Sequence, residues 1–466
     1  MADSIDNFTP SPGGNNFPQD FSLESVEIVT DFGQSFNVRS QVIELDFFED
    51  LYSFVISGYV ILKDAVGIVE KFKLDGNEFI KIQYGKAKDE SDISKLERTF
   101  RLYKVGNRNP IGNQNAEYIT LYFCNEILLL SEQVKISKSY VGKKIATASN
   151  NSGIINNILL QQLKVSPDKI NDIEETYGTY DFIVPRLKPL EAISWLSTYA
   201  RPAGNKLGAD MLFFETKDGF SFRSLQSLLS ADIYSTYKYQ IKNTDLDNQS
   251  FGEGMITVLD YEVVKTYDSL ESTSTGAYAN RLLTIDPMTK SYKVTNFNYG
   301  KYSQKVDTMN ENPVIAPSTN RLGIKQTEAY DSRLKVAIGN SNQTSVNYIK
   351  ERQGSTAKDV FLETAIPNRT AQLALANYTV IKITIPGDSS ITVGRTIDFN
   401  LYSLQIDDTR KLDDYFSGTY LITALRHVIQ TNGSYQTILE LAKESVNVTY
   451  VQPDNTSVDY RREING

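Results

Sequence analysis

The stretch Ala209-Asp-Met-Leu-Phe-Phe-Glu-Thr-Lys-Asp-Gly-Phe-Ser-Phe-Arg-Ser-Leu225 places an Asp218-Gly219 pair between two short runs that are rich in phenylalanine. An Asp-Gly pair flanked by apolar residues is a strong hairpin signal, so we expect a β-hairpin over 209–223. A hairpin this aromatic needs an apolar surface to bury against. We therefore expect a β-domain core, or its flanks, to contain Phe213, Phe220 and Phe222.

The strands that would complete this β-domain lie much later in the chain. A short helix at 368–377 leads into segments dominated by β-branched and aromatic residues, which favour strands. These segments are 378–385, 395–402, 418–429 and 434–442, the last two forming a hairpin across Asn432-Gly433. We expect hairpin 209–223 to join these strands in one domain, with roughly 250–370 inserted between them.

The N-terminal part of the chain is also rich in strands. Joints of Gly, Asn and Asp separate the segments 22–31, 36–46, 54–63, 78–84, 97–105 and 117–124. Within 78–84, apolar residues alternate with Lys81 and Gln83. This period of two indicates an antiparallel sheet with one solvent-facing side.

Residues 131–207 have a mixed pattern that predicts a small α/β domain. Ile155, Leu159 and Leu163 recur every four residues after a candidate cap at Asn151 or Ser152, which predicts an amphipathic helix. A strand at 180–184 should end at Pro185. A second helix should begin at Pro189, include Trp195 and Tyr199, and stop before Pro202.

These patterns predict a mainly β protein with α+β parts. The predicted organisation is a flexible leader (1–19), a first β-domain (20–130), an α/β domain (131–207), a second β-domain (208–250 and 372–445), an inserted domain (251–371) and a C-terminal tail (446–466). The inserted region has long polar loops and weak patterning, with short strands at 256–267, 281–285 and 291–298.

Composition narrows the class of protein. The formal net charge of −9 argues against a dedicated nucleic-acid binder, which would present a basic face. The single cysteine, Cys124, permits no intrachain disulfide, and a reducing site of synthesis suffices. No secretory signal begins the chain, and no apolar run approaches the roughly 20 residues that span a membrane. We expect synthesis in a cytoplasm and no membrane anchoring.

The sequence contains no convincing catalytic or metal-binding motif. His427 is the only histidine and lies in a predicted strand, where a structural or surface role is the better interpretation. One His and one Cys leave a zinc site without ligands.

Asp245-Leu-Asp247-Asn248 lacks the glycine and terminal glutamate of a calcium loop. Gly252-Glu-Gly254 lacks the third glycine of a dinucleotide loop. The carboxylate pairs Asp407-Asp408 and Asp413-Asp414 are best interpreted as solvated loop charges. We expect no catalytic, cofactor-binding or metal-binding residues, and no cofactor, although two distant carboxylates could still form a glycosidase pair.

Four stretches together resemble the baseplate central hub proteins of contractile-tailed bacteriophages, the family typified by the hub subunit of T-even phages. The first three run from Ile56 to Phe72, from Tyr180 to Leu196, and from Ala209 to Leu225. The fourth joins Ile385-Pro-Gly387 and Val393-Gly394 to Ser417–Ile422 and His427. None is specific alone. Their order and spacing cover most of the chain, and that combination is specific.

The resemblance implies a structural, non-enzymatic virion protein, made in the bacterial host cytoplasm and located in the tail baseplate. It implies a homotrimer in which both β-domains are tube-type antiparallel β-barrels. The trimer would act as a symmetry adaptor of a contractile injection system, presenting six barrels to a hexameric tail tube. Its other partners would be a trimeric central spike protein, the C-terminus of the tape measure protein and further baseplate proteins. DNA would pass through the channel only as transient cargo, which the acidic balance would suit.

Three other functions remain open from the sequence. The first is the hub–spike protein of a type VI secretion machine, which should continue into an OB domain and a β-helical spike. The second is a tail-associated cell-wall hydrolase, which would need a pocket with paired acids. The third is a carbohydrate-binding tail protein, although a single Trp is few for a sugar-binding cleft.

Overall fold

A computed structural model of the protein describes residues 21–30, 33–87, 93–112, 116–148, 151–204, 208–239, 254–287, 290–306, 308–313, 323–329, 333–338, 362–403, 412–431 and 434–447. The predicted leader, the Asn432-Gly433 turn and nearly all of the predicted tail lie outside these residues. The described chain is mainly β with large antiparallel sheets, so the predicted fold class is confirmed.

The first β-region consists of strands with alternating buried and exposed side chains. Its elements are β1 (Phe21–Val29), β2 (Ser35–Asn37), β3 (Val42–Asp50), β4 (Ser57–Asp64), α1 (Ile68–Phe72), β5 (Phe79–Ala87), β6 (Ile93–Pro110) and β7 (Glu117–Cys124). Antiparallel pairing gives the order β3-β4-β7-β6-β5-β1-β2. The predicted strand 36–46 is two strands, because a 3-10 turn at Arg39–Gln41 separates β2 from β3.

The α/β region follows the first β-region. It contains α2 (Glu126–Gln133), β8 (Ile136–Lys143), α3 (Ile154–Asn157), β9 (Ile170–Ile173), β10 (Tyr180–Leu187) and α4 (Pro189–Ser197). The predicted amphipathic helix is α3 with a π-helical continuation, and its N-cap is Gly153 instead of Asn151 or Ser152. Strand β10 runs on past Pro185, because β8 and β10 form a two-stranded sheet in which a proline is tolerated at an edge.

The aromatic hairpin is present but pairs differently from the prediction. It comprises β11 (Met211–Thr216) and β12 (Gly219–Ser224), followed by α5 (Leu225–Leu229). Strand β12 pairs in parallel with β9, so the hairpin belongs to a sheet of the α/β region and not to the sheet of the C-terminal strands. A Cβ on Gly219 would lie 2.4 Å from the carbonyl oxygen of Lys169, so glycine permits this close approach.

The central part of the chain alternates short strands and helices. It contains β13 (Ile233–Tyr239), β14 (Asp260–Lys265), α6 (Ser269–Thr275), β15 (Ala279–Asp286), β16 (Ser291–Asn298), α7 (Tyr299–Tyr302), β17 (Asn312–Pro313), β18 (Leu334–Ile338) and α8 (Leu362–Ala376). A separate sheet has the order β16-β15-β18.

The C-terminal strands complete a second β-region. They are β19 (Thr379–Pro386), β20 (Thr396–Leu401), β21 (Gly418–Gln430), β22 (Ser434–Lys443) and β23 (Ser445–Val446). Strand β13 pairs with β20, as a segment of 208–250 was predicted to contribute here. Strand β14 also pairs with β19, so the predicted insertion boundary at 251 is wrong: this part of the insertion belongs to the large sheet.

The hairpin is a shared wall between two cores. Phe213, Phe220 and Phe222 pack in the core of the α/β region, contrary to the prediction that they line the second β-region. Leu212 and Phe214, on the opposite face, pack in the core of the C-terminal strands. The alternation of a strand explains both contacts, because its two faces bury against different neighbours.

Candidate functional site

The two β-regions join edge to edge, and the joint is the centre of the candidate site. Strand β3 pairs antiparallel with β21 from Asp50–Ala424 to Glu44–Gln430. Within the described residues the result is one sheet of thirteen strands, whose main path runs from β14 to β2. Leu45 and Phe47 point into the core of the first β-region. The intervening residues of β3 therefore form the opposite, polar face of the sheet.

Arg426 is the centre of the polar face. Its Nη2 donates to the Asp46 carboxylate at 2.8 Å, to the Glu44 carboxylate at 3.3 Å and to the Tyr59 hydroxyl oxygen at 3.0 Å. Gln430 donates to the second Glu44 oxygen at 3.0 Å. These contacts cross three strands, so this group fastens the two β-regions together on the face that is not covered by a core.

The carboxylates around Arg426 favour the charged form of its guanidinium. Burial raises the pKa of Asp46, and the hydrogen bond from Arg426 opposes that rise. Burial would lower the pKa of Arg426, but the Asp46 carboxylate outweighs it and the pKa is raised. Burial and the neighbouring Asp46 also raise the pKa of the Tyr59 hydroxyl. Arg426 therefore stays charged and Tyr59 stays protonated at neutral pH.

A broad cleft of about 510 Å³ lies beside Arg426 on this sheet. Carboxylates outnumber cations in its lining, where Asp50, Asp260, Glu262 and Glu440 face Lys382 and Arg426. Among the described residues that line it there is no His, Cys or Ser. The cleft is an acidic surface, which repels polyanions at short range.

A buried polar cluster lies where the three regions meet. Glu49 of β3 and Arg98 of β6 are 3.8 Å apart; the Glu49 side chain is fully buried and that of Arg98 is 11% exposed. Burial raises the pKa of Glu49 to about 7, while Arg98 opposes the rise. Glu215 of the hairpin accepts from the Ile56 backbone amide at 2.8 Å and from the Asn125 side chain. Glu215 thus ties the hairpin to the first β-region, and burial raises its pKa to about 7.

His427 lies in β21 on the inward face of the joint. Its Nδ1 is 3.1 Å from the Thr437 hydroxyl and 3.1 Å from the Tyr435 hydroxyl. Burial lowers its pKa to about 3, with positive charge on Arg98 and Lys217 adding to the effect. The imidazole is therefore neutral at physiological pH, and its contacts are those of a structural side chain.

The other residues singled out in the sequence are not brought together. Cys124 is buried at the end of β7, and burial raises the pKa of its thiol to about 11. Asp413 accepts from the backbone amides of Tyr415 and Phe416, so it stabilises a turn. Asp245–Asn248 and Asp407-Asp408 lie outside the described residues.

The described residues contain neither a metal-ligand group nor a membrane-spanning helix. In the part of the chain that the structure describes, no three His, Cys, Asp or Glu side chains are grouped as a metal site. Among those same residues, no helix combines the length and the apolar character needed to cross a membrane.

The Arg426 group and the Glu49–Arg98 pair were not predicted from the sequence. The alternation of Glu44, Asp46 and Asp50 with apolar residues was a usable signal for an acidic sheet face. The partner of these acids could not be found, because Arg426 is 380 residues from Asp46.

Comparisons with known proteins agree with the fold. No family model matches the chain. The chain is 24% identical over 434 residues to a probable baseplate hub protein, gp334, of Vibrio phage KVP40, covering 89% of this chain and 92% of that protein. A crystal structure of a tail protein from Neisseria meningitidis MC58 is similar at a TM-score of 0.50 with 8% identity, covering 91% of this chain and 97% of that one. A 43 kDa tail protein of prophage MuSo2 from Shewanella oneidensis has a TM-score of 0.49 and 8% identity, covering 91% of this chain and 100% of that one.

The sequence match spans nearly the full length of both chains, whereas the structural matches bear on the fold alone. The relative's name identifies that protein as a probable component of a phage baseplate. The resemblance of this chain to the baseplate hub proteins of bacteriophages is confirmed.

Proposed function

We propose that this chain is the structural hub subunit at the centre of a phage tail baseplate. The observation that carries the proposal is the sequence similarity to a probable baseplate hub protein over 89% of the chain. The continuous sheet is consistent with this role, because a hub must transmit load between neighbours through a rigid frame. The Arg426 group and Glu215 fix the three regions of the chain to one another.

The working form that we propose is a homotrimer with two tube-like β-domains in each subunit. The divisions at 20–130 and at 208–250 with 372–445 describe these units, except that β11 and β12 belong to a sheet of the α/β region and that β14 joins the second unit. Three such subunits would offer six similar β-units to a hexameric tail tube, and a trimeric spike would bind the other end. The tape measure protein and further baseplate proteins would complete the assembly, as part of a contractile injection system.

The polar face at the β3–β21 joint is our candidate for the wall of a DNA channel. Its cleft is lined by the buried Glu49 and by four further carboxylates, at Asp50, Asp260, Glu262 and Glu440, against two cations. An acidic wall lowers the affinity of the wall for a passing polyanion, and therefore lets DNA slide without binding.

A charge-reversal experiment tests the channel. Asp260 and Glu262 are exposed, so Asp260→Lys with Glu262→Lys should leave folding and particle assembly intact. We expect DNA release from purified particles to slow severalfold, most strongly at low salt. Glu126→Lys with Glu311→Lys adds the same charge at exposed positions off this face and should release DNA at the normal rate. Equal rates for both variants would exclude this face as the channel wall.

We also propose that the chain has no catalytic activity. The nearest residues to a nucleophile–base arrangement are the buried His427 and its hydroxyl partners, and that imidazole has no exposed surface to offer a substrate. Purified chain should release no product from peptidoglycan or from glycans. Hydrolysis that is lost on mutating a pair of acids would establish a hydrolase instead.

A further inference from the structure

The sheet β16-β15-β18 has one covered face and one exposed face. Strand β15 pairs antiparallel with β16 and parallel with β18. On one face, Leu282 and Ala337 pack against Leu362 at the start of α8. Successive side chains of a strand point to opposite sides, so the neighbouring residues form a second face that α8 does not reach.

This second face is apolar in aligned rows. Tyr292, Ile285 and Ile338 are opposite one another across the three strands, and Val294, Leu283 and Val336 form the next row. Tyr292 is 71% exposed, Ile338 72% and Val336 58%. We call these six residues the insertion face.

An exposed apolar surface of this kind is typical of an interaction site. Single exposed apolar residues are ordinary, but a contiguous apolar patch on a folded protein marks an interaction site. A sheet that contains a parallel pair is normally covered on both faces, and within the described part of the chain a helix covers only one.

The dimensions favour a helix as the occupant. The outer strands of a three-stranded sheet are about 10 Å apart, which matches the roughly 10–12 Å diameter of an α-helix. The covered face is already packed in this way by α8. Six side chains supply on the order of a few hundred Å², which is less than the roughly 800 Å² per partner that a stable self-dimer needs. The area therefore fits a single helix better than a second copy of the chain.

The charge of this face defines the helix further. Among the described residues of β15, β16 and β18 that point to this side, Arg281 is the only charged one, in the row beside Val294, Leu283 and Val336. An acidic side chain on the partner would complement it.

We propose that the insertion face is a docking site for an amphipathic helix of another protein, with an aliphatic or aromatic stripe and an acidic residue near Arg281. The proposal is independent of the hub role. It rests on the exposure and register of the six residues, on the area of the face and on the charge of Arg281.

The first test uses a fluorescent 18-residue amphipathic peptide, with leucines along one face and a glutamate at one end, titrated into the full chain. Val336→Glu with Ile338→Glu should weaken binding at least tenfold. The matched control is Val141→Glu with Ile183→Glu, which places the same charges on side chains that are 74% and 73% exposed in the α/β region. The control should change the affinity less than twofold.

The second test identifies the natural occupant. A photo-crosslinking residue at Ile338 in the assembled particle should link to a helical segment of a different protein. No peptide binding, equal weakening in both double variants, or crosslinks to this chain or to another copy of it would each overturn the proposal. A large drop in the melting temperature of Val336→Glu with Ile338→Glu, absent in the control, would do so too, because it would show that the chain covers this face itself.

Discussion

At the residue scale, Arg426 links Glu44, Asp46 and Tyr59 on the polar face. Arg426→Met leaves the Asp46 carboxylate, whose side chain is fully buried, without its 2.8 Å donor. We expect the free energy of unfolding to fall by about 3 kcal/mol at pH 7, because a buried charge is left unpaired.

The pH dependence of that loss checks its cause. Burial already raises the pKa of Asp46, and without Arg426 it would rise further. A raised folded-state pKa means that the folded protein takes up the proton first as the pH falls, so the deficit of the variant should shrink between pH 7 and pH 5. Urea unfolding at both pH values measures it, and the double variant Asp46→Asn with Arg426→Met should recover part of the stability at pH 7. An equal deficit at both pH values would contradict the account.

His427 offers a second residue-scale prediction, because it is the only histidine. Burial lowers its pKa to about 3, so the imidazole signal of ¹³C-histidine-labelled protein should not titrate between pH 5 and pH 8. A midpoint near the ordinary value of about 6.5 would show that the ring is accessible to solvent.

The same pKa sets a stability effect with a definite sign. His427 contributes stability that is fully present above the unfolded pKa of about 6.5 and is lost as the pH falls towards 3, by about 1.4 kcal/mol per pH unit. Burial raises the folded-state pKa of Glu49 and Glu215 to about 7, so these two groups have the opposite effect. Their contribution to stability increases as the pH falls below 7. Comparison with His427→Gln isolates the histidine, and the variant should lose less stability than the wild type between pH 6 and pH 4.

At the element scale, the packing of β4 against β3 depends on one glycine. A Cβ on Gly58 would lie 2.1 Å from the carbonyl oxygen of Asp46 and 2.5 Å from the Phe123 ring, so one strand or the other must shift. Gly58→Ala should lower the free energy of unfolding by about 2 kcal/mol or more. Gly204→Ala is the control, because no atom lies within 4 Å of its added carbon. A thermal melt of each variant compares them, and equal midpoints would mean that β4 is not packed as described.

The elements also show what sequence patterns can predict. The Asp218-Gly219 pair between two phenylalanine-rich runs located the hairpin, because turn chemistry acts within a few residues. The prediction of which strands pair with the hairpin was wrong, because Leu212 and Phe213 are both apolar and both faces of β11 are buried. Nothing in such a strand distinguishes which core lies on which side. The β3–β21 joint was equally invisible, since pairing between distant strands leaves no local mark.

At the scale of the whole molecule, the chain builds one extended sheet from its two ends. Strand β21 pairs with β3 and so joins the C-terminal strands to the first β-region. Arg426 and Glu215 then fix the neighbouring regions to one another. A hub requires this property, because relative movement of the two β-regions would break its match to a ring of tube subunits. The exposed insertion face lies apart from this frame, in a separate sheet suited to a different contact.

The most direct test of the hub role is a cryo-electron microscopy reconstruction of the tail tip of the particle that carries this chain. We expect three copies around the central axis, with their β-regions in a closed ring and with Asp260, Glu262 and Glu440 facing the channel. Six copies, or a position at the baseplate periphery away from the axis, would contradict the hub assignment and indicate a tube or wedge protein instead.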